Sequence, residues 1–249
     1  MKHAFMVSSA INTTIGKFSN EQRLEQTLAT LSSIRTKVPD AYIMVIECSA
    51  FTLTKEQKDI LSSNSNILLS FDKDLHIKEM YEENMKLANW DIVKSYTEIY
   101  CFLSAFNVAK ENSYFNGIDR IHKLSGRYVL TDKFDINAYE DENFKNRIIT
   151  SRRYLSQFNP ELVDNIPFCY MTRLWSWPNV ITRQVHDSYK NSLQFLIDTV
   201  MARKPTKLDI EHLLYRYLPS DLVTSVMELG VEGYISTMPE EAGMGTIQD

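Results

Sequence analysis

The strongest constraint on the fold lies near the N-terminus, where two short apolar runs bracket one helical segment. His3–Ser9 (HAFMVSS) centres on Phe-Met-Val, and residues 41–46 (AYIMVI) form a continuous apolar stretch with β-branched side chains. A strand covered on both faces has that composition, whereas a half-exposed strand alternates. Between them, Ser19-Asn20-Glu21-Gln22 has the spacing of a capping box, in which the first and fourth residues exchange side-chain and backbone hydrogen bonds. Leu24, Leu28, Leu31 and Ile34 then share one helical face until Pro39 stops the segment. Strand, helix and buried strand in this order predict a right-handed βαβ unit and a parallel sheet.

The α/β pattern continues. Thr54–Gln57 offers a second cap, residues 66–71 (NILLSF) read as a third strand, and residues 78–89 and 94–110 as helices. A turn at 112–117 leads into a fourth strand at 118–124 (IDRIHKL), which Ser125-Gly126-Arg127-Tyr128 breaks before an extended 129–134. Further strands are expected at 147–152 and 167–175, helices at 184–201, 208–218 and 222–229, and a last short strand at 231–236. The tail, 239–249, has no periodicity and is expected to be loose. No linker or repeat interrupts the 249 residues, a length that one α/β domain commonly reaches, so a single domain is expected.

Composition narrows the function. With 32 acids against 27 bases the net charge is −5, which argues against a general binder of duplex phosphate backbone. Cys48, Cys101 and Cys169 are odd in number and sit among apolar neighbours, as buried free thiols do, so a reducing, cytoplasmic setting is expected. The first apolar run is too short for a secretory signal, and no stretch of 18 apolar residues predicts a membrane span. Glycine-rich dinucleotide and P-loop motifs, the serine-hydrolase elbow, HExxH and CxxC are all missing.

In open α/β sheets ligands bind beyond the carboxyl ends of the strands, so the informative residues are those that follow each strand. These are Ser8, Ser9, Asn12 and Thr13 after the first, Glu47 and Ser49 after the second, Asp72 after the third, and Lys123, Ser125, Gly126 and Arg127 around the fourth. Such a set suits a nucleotide: loop hydroxyls for the base and ribose, Glu47 for ribose or base donors, a cation for diphosphate. The plainer alternative is that the hydroxyls make turns and Glu47 is solvated or caps the next segment.

The order of strand, polar loop, helix ending in SIRTKVPDA, strand with an acidic end (IMVIE), then a helix from KSYTE leading into IHKLSGRYVL resembles the nucleotide-binding core of GT-A-type glycosyltransferases. The resemblance spans residues 3–135 and implies a GT-A-like, Rossmann-type, mostly parallel sheet flanked by helices. It assigns 1–135 to a nucleotide-sugar half and 136–238 to an acceptor half with a C-terminal helical extension. It also implies a nucleotide-sugar donor, a UDP-sugar first, and a divalent metal, Mg²⁺ or Mn²⁺. The string SSAINTTIGKFSNEQRLEQTLATLSSIRTKVPDA is similar to short proteins encoded by tailed phages, which implies the host cytoplasm as the location.

One departure stands out: KLSGRY occupies the place of that family's Asp-x-Asp metal signature. A fixed cation can stabilise a departing diphosphate in place of a metal, and Arg127 has the planar, bidentate chemistry for it, with Lys123 and Lys94 in support. An ordinary surface ion pair is the alternative for Arg127. Asp132 and Asp135 are the nearest substitute metal ligands, or simply a solvated turn. In inverting enzymes of this kind a carboxylate or imidazole from the C-terminal half deprotonates the acceptor, so Glu211 or His212 in DIEHLLYRYL resembles that base, with helix capping by Asp209 and partial burial of His212 as the alternative. Trp175 and Trp177 offer an aromatic wall or ordinary core packing. The expected function is glycosyl transfer to an acceptor hydroxyl on a glycan, a small molecule or a modified DNA base. A catalytically silent nucleotide- or glycan-binding protein of the same fold is the alternative.

Overall fold

The computed structural model describes residues 1–14, 16–86, 90–234 and 246–248. In chain order the first half comprises β1 (His3–Ser9), α1 (Asn20–Lys37), β2 (Tyr42–Glu47), α2 (Lys55–Ser63), β3 (Ile67–Ser70), α3 (Leu75–Lys86), α4 (Trp90–Glu111), β4 (Arg120–Ser125) and β5 (Tyr128–Leu130). The second half comprises β6 (Ile148–Ser151), β7 (Arg153–Leu155), β8 (Phe168–Tyr170), β9 (Leu174–Pro178), α5 (Thr182–Met201), α6 (Ile210–Tyr217), β10 (Val223–Val226), β11 (Val231–Tyr234) and β12 (Thr246–Gln248).

Both predicted capping boxes form. Gln22 N donates to Ser19 Oγ at 3.3 Å while Ser19 N donates to Gln22 Oε1 at 2.9 Å, and Thr54 and Gln57 repeat the exchange at 3.2 and 2.8 Å. Seven strands line up as β10-β6-β9-β4-β1-β2-β3. Every neighbouring pair is parallel except those made by β9, which runs against both β4 and β6. Alternate residues of β1 and β2 face opposite layers: Ala4, Met6, Met44 and Ile46 join the core under α3, α4, α5 and α6, while Phe5, Val7, Ile43 and Val45 join the core under α1. That two-sided burial explains the unbroken apolar runs, since each such side chain contributes about 1.5–3 kcal/mol when enclosed.

The fourth strand, beside β1, carries three polar residues with no solvent access: Arg120, His122 and Lys123. Unpaired, each would cost several kcal/mol. Arg120 donates to Ser176 Oγ at 2.8 Å and to the carbonyls of Phe144, Lys145 and Arg147, and the His122 and His3 rings meet at 3.0 Å. Arg120 therefore depends on partners brought by β9 and the 144–147 turn, and His122 on a partner in β1.

Four expectations are corrected. Residues 222–229 are not a helix: after a single turn at Ser220–Leu222, the run Val223-Thr224-Ser225-Val226, three of its four residues β-branched, pairs in parallel with β6. Arg147 reaches across to Thr224 Oγ1 at 3.0 Å and to the Val223 carbonyl at 3.2 Å, which favours the extended form. The stretch 167–175 is two strands, because the chain leaves a small hairpin with β7 and enters the main sheet at Leu174. The extended reading of 129–134 ends at Leu130, where a turn follows. Of the tail expected to be loose, residues 246–248 add to β11, which also pairs with β5. The expected helix end at 87–89 and strand end at 235–236 lie outside the described residues, as do 239–245 and 249.

Candidate functional site

The carboxyl ends of β1, β2 and β4 open into a cleft of ≈ 340 Å³, closed on the other side by the starts of α4 and α6. Of the predicted residues, Ser8, Ser9, Thr13, Lys94, Ser125, Gly126, Arg127 and Glu211 all line it. Residues from opposite ends of the chain are thus brought to one place. Sequence reasoning overlooked Arg23, Thr27, Glu98 and Asp209 as cleft residues; the first two are polar side chains on the buried face of α1, where the leucine spacing drew attention instead.

The cationic wall is built by a short relay. Gly126 N donates to the Ser8 carbonyl at 2.7 Å, and a Cβ at this position would lie 2.8 Å from that same oxygen, so only glycine lets the β4 turn sit against β1. Thr27 Oγ1, on α1, lies 3.1 Å from the Gly126 carbonyl and 2.9 Å from the Arg23 carbonyl one turn earlier. Arg23 and Arg127 consequently enter the cleft from adjoining backbone. Arg23 donates through Nε to the Phe18 carbonyl at 3.2 Å and through Nη1 to the Ala10 carbonyl at 3.3 Å, wrapping the first loop around its guanidinium. Burial and the nearby positive charge of Arg127 pull it down to about 10.

Glu211 stands at the opposite wall, in the first turn of α6. Asp209 caps that helix, accepting from His212 N at 2.9 Å, and Thr172 Oγ1 donates to Glu211 Oε1 at 2.7 Å. Burial, aided by the negative charges of Asp209 and Glu98, pushes the Glu211 carboxyl up to about 7, against the opposing hydrogen bond from Thr172. Glu98 in turn pairs at 2.8 Å with Lys123, whose ammonium also donates to Ser125 Oγ and to the Thr172 carbonyl, each at 2.7 Å.

Several predicted residues are placed elsewhere. Glu47 has no solvent access and does not line the cleft. It lies beneath it, accepting from the hydroxyls of Ser9 and Ser49 and from the backbone N–H of Ile11 at 3.0 Å and of Ser49 at 3.1 Å. Its geometry is that of a residue that shapes the loop. Asn12 is likewise occupied, donating to the Thr52 carbonyl at 2.7 Å and exchanging bonds with Gln57. Lys123 is enclosed, as is His212, whose ring nitrogens meet Asp209 at 2.5 Å and Ser156 at 2.9 Å. Asp72 is buried against Lys58, Ser70 and Leu53 N. Trp175 and Trp177 are core residues with ring centroids 4.6 Å apart.

The expected metal ligands do not fit a metal. Asp132 points into solvent and pairs with Lys37 at 2.6 Å, while Asp135 accepts from Asn137 N at 2.9 Å and caps the turn that follows. Neither lines the cleft, and among the described residues no three His, Cys, Asp or Glu side chains gather where they could hold an ion. No helix among these residues is long and apolar enough to cross a membrane.

A 3-2-1-4 parallel core, one reversed strand beyond it and a cleft at the strand ends define a GT-A-like fold. Among solved structures the chain is similar to the galactosyltransferase LgtC, both in complex with donor and acceptor sugar analogs and as an active-site mutant. In each case the TM-score is 0.50 and the identity 10%, over 89% of this chain and 72% of the other. No protein-family model matches the chain, and no curated protein does either.

Proposed function

We propose that this chain transfers a glycosyl group from a nucleotide-sugar donor to an acceptor hydroxyl, with Glu211 as the general base. The observation that carries the reading is that a carboxyl group pushed up to about 7 shares one cleft with Arg127 and the Ser8–Ala10 loop. A base is most effective when its pKa lies near the working pH, and this one is matched to neutral conditions. The likeness to a galactosyltransferase supports a donor of the nucleotide-sugar class; Ser8, Ser9 and Thr13 are the candidate contacts to base and ribose.

In the proposed reaction Glu211 removes the proton of the acceptor hydroxyl as its oxygen attacks the anomeric carbon. The glycosyl C–O bond to the diphosphate breaks and a new C–O bond forms. The nucleoside diphosphate departs with an added negative charge, which Arg127 offsets, with Lys94 as a further candidate. Asp209 caps the helix that carries the base. His212, with both ring nitrogens occupied, is not a base in this scheme.

The test starts from thermal unfolding of the protein with UDP-, GDP-, CMP- and dTDP-sugars. A donor present at 100 times its Kd should add about 2.7 kcal/mol of stability. The stabilising donor is then incubated with glycan, small-molecule and hydroxylated-base acceptors, and release of free nucleotide is followed. Stabilisation without turnover by any acceptor would favour the silent binding protein, which the missing Asp-x-Asp also supports.

A further inference from the structure

We infer that the Ser125 hydroxyl, backed by the enclosed ammonium of Lys123, donates directly to a phosphoryl oxygen of the ligand, beside Arg127 and with no metal between. That the ligand is a nucleotide sugar rests on the reading above; the donor built from Lys123 and Ser125 does not.

The periodicity of β4 comes first. Lys123 and Ser125 are two residues apart and project from the same face of the strand, yet Lys123 has no solvent access while Ser125 lines the cleft. The ammonium engages three acceptors: Glu98 Oε1 at 2.8 Å, and Ser125 Oγ and the Thr172 carbonyl, each at 2.7 Å. An ammonium has three N–H groups and no lone pair, so it can only donate. Ser125 Oγ is therefore the acceptor of that bond, and its own proton points away from Lys123. Among the described residues Ser125 Oγ makes no other hydrogen bond. The proton is left for a ligand in the cleft.

The turn that carries this donor is held from both sides. Ser125 N donates to the Arg173 carbonyl at 2.8 Å, Gly126 N to the Ser8 carbonyl at 2.7 Å, and Arg127 N to the Ser125 carbonyl at 2.8 Å. A donor fixed before the ligand arrives loses little freedom on binding.

The chemistry of the partner atom follows. A hydroxyl that already accepts from a cation is polarised into a stronger donor and prefers an oxygen carrying negative charge. Arg127, on the same turn and in the same cleft, makes no ion pair and no side-chain hydrogen bond among the described residues. Adjoining phosphoryl oxygens suit a hydroxyl and a guanidinium placed side by side. Neither Asp132 nor Asp135 lines the cleft to hold a metal there. The plainer possibility is that Ser125 only satisfies the buried lysine. That role would alter stability and leave phosphate recognition untouched.

The whole 249-residue chain is titrated calorimetrically in EDTA with UDP, GDP, CDP, dTDP and ADP, with the nucleoside of the tightest of these, and with inorganic pyrophosphate. Ser125→Ala should weaken the diphosphate and pyrophosphate by about tenfold or more, while the nucleoside moves by less than about twofold. Ser125→Thr keeps the hydroxyl and should restore most of the affinity. Glu98→Gln keeps Lys123 in place but removes the charge that offsets it, so the diphosphate should bind about threefold or more tightly. That gain should fall below about twofold in the Ser125→Ala background, because the hydroxyl carries it. Should Ser125→Ala fail to fold, the Glu98→Gln titration decides by itself.

Unchanged diphosphate affinity in Ser125→Ala, equal losses for nucleoside and diphosphate, no gain in Glu98→Gln, binding only when Mg²⁺ or Mn²⁺ is added, or no binding of any phosphate tested would each overturn the inference. Pyrophosphate binding that depends on Ser125, with no nucleoside diphosphate bound more tightly than pyrophosphate, would support it and remove the nucleotide reading. Glycosyl transfer by a Ser125→Ala variant of wild-type diphosphate affinity would do the reverse.

Discussion

Glu47, at the end of β2, is fully buried and Glu211, at the start of α6, is half-buried; the surroundings of both carboxyls push them toward the protonated form, yet they are built differently. Glu47 is surrounded by donors: two serine hydroxyls and two backbone N–H groups converge on it. Glu211 accepts one side-chain hydrogen bond, from Thr172, and has the negative charges of Asp209 and Glu98 nearby. A buried acid saturated with donors holds structure in place, because each donor would be left unsatisfied without it. An acid beside like charges at the edge of a cleft is held near neutrality and is ready to exchange a proton. Position after a strand made Glu47 look functional, whereas its hydrogen bonds assign it to the floor.

The largest effect that sharpens this contrast is kinetic. Glu211→Gln should lower the transfer rate by about 10²–10⁴-fold, the usual contribution of a positioned base, and leave nucleotide affinity within about twofold. Steady-state release of nucleoside diphosphate measures it. A variant that turns over at the wild-type rate would remove Glu211 from the chemistry.

Next comes stability. Glu47→Ala should cost about 3 kcal/mol in urea unfolding, since it strands the Ser9 and Ser49 hydroxyls and two N–H groups; Glu47→Gln should recover part of this. Glu211→Ala should cost less than about 1 kcal/mol, because removing the acid also relieves repulsion from its neighbours. Equal costs would break the comparison.

The pH dependence follows from the sign of the Glu211 shift. Its folded-state value of about 7 lies above the ordinary 4.5, so the folded protein holds the proton more tightly than the unfolded chain. The associated stability is complete below about 4.5 and is lost as pH rises through about 7, on the order of 3 kcal/mol in all. Unfolding curves of the wild type and Glu211→Gln between pH 4.5 and 8 should therefore converge or cross, with the variant gaining relative stability as pH rises. Activity should move the other way, rising as the base ionises.

The smallest effect probes the one side-chain hydrogen bond that opposes the shift. Thr172→Val removes a donor that favours the charged form of Glu211, so the midpoint of the activity profile should rise from about 7 by a few tenths of a unit to about one unit. A downward movement would mean that Thr172 acts on the site in some other way.

What the sequence determined by itself were features set by neighbours a few residues apart. The capping boxes at Ser19 and Thr54, the two-faced burial of β1 and β2, and the break at Gly126 all follow from local spacing, and they suffice for the parallel core and for Ser8, Ser9, Thr13, Ser125, Gly126 and Arg127 at the ends of its strands. Tertiary structure alone decided the rest, because those outcomes turn on partners distant in the chain. The run at 222–229 became a strand because β6 offered an open edge and Arg147 a donor. Lys123 became an enclosed partner of Glu98, and His212 an enclosed partner of Ser156, once packing brought those pairs together. Arg23 shows the limit most clearly. Nothing in a helix-forming stretch marks one arginine as buried; the Thr27 contact to Gly126, 99 residues away in the chain, joins its helix to the turn that carries Arg127. Local patterning sets the backbone where capping and apolar runs are strong, as in β1, α1 and β2, while long-range contacts decide the form of weakly patterned stretches such as 222–229 and which side chains meet in the cleft.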